Sequence, residues 1–254
     1  YIRQTMHDFT LAGGDPRRRT GTFLRLMLAL TAGTLLLTGC ASIVIRPSGG
    51  GSADAGATGA AAAHPNAHEV RSDDLSSVQQ RVVESARSLV GARSLRINGR
   101  RFRYDCTGTI LAAYYGAGID LEAEFSAYTG NGVARLFKLA AAHELVYTGD
   151  SPSPGDVIFW DNTYDRNGDG AWNDTLTHAG VVIRTYTDGS VDYVHHNYRD
   201  GIVIARMSLA SPDLHQSGAL LVNSPMRMKS HRHMNPSKWL ASHLYRSAGM
   251  LYEL

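Results

Sequence analysis

The sequence predicts an α+β domain in the later part of the chain, and three observations predict it. Apolar residues recur at helical spacing from Leu75 to Ala140, the period then shortens to that of strands, and Asp188-Gly189 marks a hairpin turn between two strand-like runs. Helices first and an antiparallel meander afterwards give N-terminal helices packed on one face of an antiparallel sheet.

Each segment has its own signal. Arg17, Arg18 and Arg19 precede the apolar run 23–30, and a second apolar stretch ends at Leu37-Thr38-Gly39-Cys40. That is the basic, apolar and small-residue order of an export signal over residues 1–40. Thr31, Gly33 and Thr34 interrupt the run, which is short for a membrane span. Residues 41–73 are rich in Gly, Ala and Ser and bury too little surface to offset ordering entropy, so they read as a flexible tether to a folded domain at 74–254.

In that domain Leu75, Val78, Val82, Ala86 and Leu89 predict a first helix, ended by Gly91. A second starts at Cys106 and runs through Ile110, Leu111 and Tyr114 to Gly116. Asn131 caps a third, with Val133, Leu136, Phe137 and Ala140 on its buried face. Strands are expected at 157–160, 180–183, 191–195 and 202–205. Trp239, Leu240, Leu244 and Leu251 predict a C-terminal helix packing back on the domain.

The formal net charge of +2 is spread along the 254 residues, which gives no reason to expect nucleic acid as a partner. The two cysteines are more informative. If Cys40 is modified at the end of the signal, Cys106 is left as a free thiol outside the cytoplasm, where thiols are kept for chemistry. Tyr104-Asp105-Cys106-Thr107-Gly108 sets that thiol at a helix start, where unpaired N–H groups and the macrodipole favour an anion and predict a lowered thiol pKa. Small residues at 107 and 108 are expected to leave the thiol approachable.

His178 stands at the mouth of one hairpin strand, and Tyr193-Val194-His195-His196-Asn197 lies on its partner. A hairpin brings such residues side by side, so Cys106 as nucleophile, His178 as base and His195 as the residue orienting the base form a candidate catalytic set. His196 and Asn197 are alternatives for the third role.

Leu37-Thr38-Gly39-Cys40 resembles a bacterial lipobox, which implies diacylglycerol on Cys40 and an exported protein held to a membrane facing the periplasm or cell wall. Residues 76–207 resemble the NlpC family of papain-like cell-wall cysteine peptidases. Asp105-Cys106-Thr107-Gly108 is similar to its Asp-Cys-Ser-Gly, 154–160 to its Pro-Gly-Asp strand, and His178-Ala179-Gly180-Val181 to its His-Val-Gly-Ile strand. His195 matches its third polar residue. The resemblance implies a papain-like fold and hydrolysis of peptidoglycan peptide stems, typically between D-glutamate and diaminopimelate. It also implies a part for Asp105 in recognising the stem, and no cofactor in catalysis. The Tyr and Trp-Gly-Gly run that the family carries before its cysteine is absent from 94–103, which leaves Tyr104 as the candidate for that substrate-lining position.

Asp165, Asn167 and Asp169 alternate before Gly170, as in the first half of a calcium loop, with Asp174 as a further oxygen donor; Leu176 stands where a bidentate Glu is expected. This is a candidate structural calcium site. His231-Arg232-His233 reads as a solvated loop. The rival functions are a peptidoglycan amidase similar to the CHAP type, which shares the Cys-then-His order, and an inactive lipid-anchored wall-binding scaffold.

Overall fold

The computed structural model describes residues 68–69, 74–149 and 151–254. The signal segment 1–40 with Cys40, and all of the tether but His68 and Glu69, lie outside the described residues. Those two tether residues are docked. The His68 carbonyl accepts the Thr187 N–H, the His68 N–H donates to the Thr187 hydroxyl, and Glu69 pairs with Arg184 at 2.9 Å, so the chain is already held at the end of a hairpin before 74.

Helix α1 (Ser77–Ser88) opens with a capping box in which Ser76 and Gln79 satisfy each other's backbone N–H groups. A short hairpin follows, β1 (Leu95–Ile97) and β2 (Arg100–Phe102), turning at Asn98 and Gly99, both with positive φ. Asn-Gly is a strong hairpin signal, and the sequence reading passed over it. Helix α2 (Cys106–Gly116) is capped by Asp105, whose carboxylate accepts the Gly108 N–H at 2.8 Å. It is buried from Gly108 to Tyr114, as suits a helix enclosed by the fold. Helix α3 (Gly132–Ala142) is capped by Asn131.

The strands are β3 (Val146–Tyr147), β4 (Val157–Trp160), β5 (His178–Thr185), β6 (Ser190–Asn197) and β7 (Gly201–Ser208), with a short pair β8 (Gln216–Ser217) and β9 (Leu220–Leu221) beyond them. Helix α4 (Ala241–Leu244) and strand β10 (Tyr245–Gly249) complete the order. The main sheet is antiparallel, ordered β3-β10-β4-β5-β6-β7.

The expected C-terminal helix is therefore corrected. Only Ala241–Leu244 is α-helical; the next five residues become a strand between β3 and β4, and a single 3-10 turn follows at Leu251–Glu253. Ser247, Ala248 and Gly249 are small enough to lie in the middle of a sheet, and a Cβ on Gly249 would stand 3.2 Å from the Phe159 ring and 3.4 Å from Ala140, a tight fit.

The fold is thus α+β, with two apolar clusters. One joins α1, α2 and α3 to the sheet through residues such as Ile110, Leu136, Phe159 and Val194. The other lies between the sheet and the C-terminal segment, through Trp160, Tyr193, Met207 and Leu244. Trp160 fastens the two by donating its indole N–H to the Ala241 carbonyl at 2.9 Å.

Candidate active site

One wall of the site is the start of α2. Cys106 is its first residue, half-buried, and borders a cleft of about 380 Å³ together with Asp105, His178 and His195. Gly108 serves a different end from the one the sequence suggested. A Cβ there would stand 1.8 Å from the Arg103 carbonyl oxygen, so glycine lets the incoming backbone cross the first turn. Gly132, at the start of α3, leaves room in the same way for Thr107.

The other wall is the β5–β6 hairpin. His178 opens β5 opposite Trp160 of β4, their rings 5.8 Å apart. The β5–β6 register pairs Val181 with Val194, and a Cβ on Gly180 would lie 3.2 Å from that of His195. The bare Gly180 leaves the His195 ring space to lean along the sheet toward His178. His178 Nε2 then meets His195 Nδ1 at 2.8 Å. Strand alternation points His196 the other way from β6, where it packs edge-on against Tyr104 with ring centroids 4.6 Å apart while still bordering the cleft. Of the three candidates for the orienting role, His195 is the one that reaches the base; Asn197 borders the cleft.

The electrostatics differ from the sequence expectation. Burial, and then the negative charge of Asp105, push the Cys106 thiol from 9.0 up to about 11. Hydrogen bonds to the sulfur from the Thr107 hydroxyl, the Ala179 N–H and the Thr107 N–H pull the other way and lose. The net rise is worth roughly 3 kcal/mol at about 1.4 kcal/mol per pH unit, whereas a helix N-terminus is usually worth about 0.3–1 kcal/mol. The resting thiol is neutral. Burial and the nearby His196 push His178 down from 6.5 to about 4, and burial with both neighbouring histidines pushes His195 well below its ordinary value. The resting imidazoles are neutral too.

Tyr164 was missed in the sequence. It borders the cleft from the 161–177 loop, and burial and the Cys106 charge both raise its phenol pKa. The loop is fixed beside it by Thr163, whose hydroxyl and N–H meet the Thr177 hydroxyl at 2.9 and 3.0 Å. The far end is tied to α3, since Asn131 Nδ2 donates to the Leu176 carbonyl at 3.2 Å. The only sequence signal was a tyrosine shortly before the candidate calcium loop.

Tyr104 does not border the main cleft; its hydroxyl donates to the Ala92 carbonyl at 2.7 Å. Asp105 does border it while capping α2 and pairing with Arg103 at 2.9 Å. In the candidate calcium loop, Asp165 accepts the Gly168 and Gly170 N–H groups, Asn167 that of Asp169, and Asp169 that of Ala171. Among the described residues no three His, Cys, Asp or Glu side chains gather as metal ligands, so Asp174 does not join Asp165 and Asp169 in such a group. The Asp174 carboxylate is buried with neither oxygen hydrogen-bonded among the described residues, and its charge acts on Arg227 and Tyr164.

The arrangement brings Cys106, His178, His195 and Asp105 to one cleft. Comparison with known proteins gave no match, whether to family models, to curated proteins or to solved structures.

Proposed function

We propose that the chain is a papain-like cysteine peptidase of the NlpC type that hydrolyses peptidoglycan peptide stems between D-glutamate and diaminopimelate. The observation that carries this reading is a helix-borne thiol and a strand-borne pair of neutral histidines on one cleft. If His178 donates its Nε2–H to His195, its Nδ1 keeps a lone pair and can take the thiol proton as sulfur attacks the carbonyl carbon. A buried neutral pair suits this coupled transfer, since no thiolate need exist beforehand. The tetrahedral oxygen is met by the Cys106 N–H at the open start of α2 and by the Tyr164 hydroxyl. His178 returns the proton to the departing amine, and water then hydrolyses the thioester. Asp105 meets the stem, catalysis needs no metal, and calcium in the 161–177 loop would serve structure alone. Cys40 carries the lipid that holds the exported protein to a membrane.

Digestion of purified muropeptides, read by mass spectrometry, tests the reading. A new amino terminus at diaminopimelate supports it. Release of the whole stem from muramic acid points to an amidase instead, and intact muropeptides to an inactive wall-binding scaffold.

A further inference from the structure

The cleft continues past the histidines. A second recess of about 340 Å³ opens beside it, sharing His195, Asn197, Tyr198 and Met226, and neither Cys106 nor Asp105 borders it. Arg199 and Asp200 reach it from the β6–β7 turn, and Lys229 and Arg232 from the C-terminal segment.

The charge in this recess is unbalanced. Arg199, Lys229 and Arg232 make no ion pair among the described residues, and Asp200 is the one carboxylate on its wall. Arg227 also lines it but is buried, stacked on Trp172 at 4.5 Å, with Asp174 and Asp165 as the acidic charges acting on it. Arg232 is held in place over Trp239 at 4.3 Å, which presents a guanidinium at the rim. Three cations against one carboxylate in a concave site favour an anionic ligand, and Arg forks match a carboxylate.

Chemistry gives the recess a direction. The proton that His178 takes must go to the leaving nitrogen, so the acyl fragment lies along the cysteine wall and the leaving fragment along the histidine wall. The recess extends the histidine wall. We propose that it is a leaving-group subsite, in which Arg199, Lys229 and Arg232 bind a free carboxylate of the diamino acid released. Only this direction rests on the peptidase reading; the affinity for a carboxylate does not.

The test compares L-alanyl-γ-D-glutamyl-diaminopimelate with the same peptide amidated at both diaminopimelate carboxyls. The wild-type chain should turn over the free acid at least about tenfold faster in kcat/KM, because charged hydrogen bonds of this kind are worth that much. In the double variant Arg199→Gln, Lys229→Gln, both exposed positions, the preference should collapse toward unity. Equal turnover of the two peptides by wild type, or a preference that survives in the variant, overturns the subsite. If wild type cleaves neither peptide, the peptidase reading has failed and calorimetry decides for the recess. Tighter binding of the free acid than of the amide to the Cys106→Ala chain then upholds it, and equal or absent binding overturns it.

Discussion

His178 Nε2 lies 2.8 Å from His195 Nδ1, and between two neutral rings a single proton makes that bond. Its direction decides whether His178 can act as a base, so His195 is a positioning residue. His195→Ala should lower kcat by about ten- to a hundredfold, the cost of one buried hydrogen bond of about 1–3 kcal/mol at about 1.4 kcal/mol per decade. His195→Asn, which keeps a polar group there, should recover part of the loss. His196→Ala should lower kcat far less, because His196 borders the cleft without hydrogen-bonding His178. Equal losses at 195 and 196 would show that the hydrogen bond does not orient the base.

The neutral thiol makes a prediction opposite to the one its place at a helix start suggests. With Cys106 pushed up to about 11, thiolate is scarce at neutral pH, and iodoacetamide should modify it more slowly than a free peptide thiol of pKa about 8.5. Rates measured from pH 6 to 9 decide this. Faster reaction than the free thiol at pH 6 would mean that a thiolate–imidazolium pair exists at rest.

The same burial couples stability to acid. His178 protonates below 6.5 when unfolded and resists until about 4 when folded, so the unfolded state binds more protons in that window. Its contribution is complete above pH 6.5 and is lost as pH falls through about 4. His195 acts in the same direction. Urea midpoints should fall between pH 6.5 and 4, and replacing both histidines by Gln should flatten that slope. An unchanged slope in the double variant would refute the linkage.

Gly108 tests the packing beneath the thiol. Ala at 108 would drive a Cβ into the Arg103 carbonyl, so Gly108→Ala should cost about 1–3 kcal/mol, and more if the backbone cannot shift. Denaturant titration reads it directly. Wild-type stability in Gly108→Ala would mean that the two segments do not cross so closely.

Tyr164→Phe removes a hydroxyl from the cleft without changing its shape. If that hydroxyl meets the oxyanion, kcat should fall about tenfold or more with little change in KM. A change confined to KM would assign Tyr164 to substrate binding alone.

Much of this was legible in local sequence. The bounds of α2 follow from Asp105 and Gly116, and the β5–β6 hairpin from Asp188-Gly189, because caps and turns are written in neighbouring residues. The order Cys106, His178, His195 was legible as well. What was not legible depends on distant contacts. Strand β10 reads as a helix until β3 and β4 offer it both edges, and Tyr164 reaches the cleft only because Thr163 and Thr177 pin its loop. The thiol's upward shift depends on burial by the whole fold, which no local pattern around Cys106 records.

The most direct test of the central claim is digestion of purified muropeptides by the wild-type chain beside Cys106→Ala, with products identified by mass spectrometry. Wild type should release fragments with a new amino terminus at diaminopimelate. Cys106→Ala should release none while unfolding at nearly the wild-type urea midpoint, since the half-buried thiol contributes little to the core. Hydrolysis by Cys106→Ala at the wild-type rate would contradict the account.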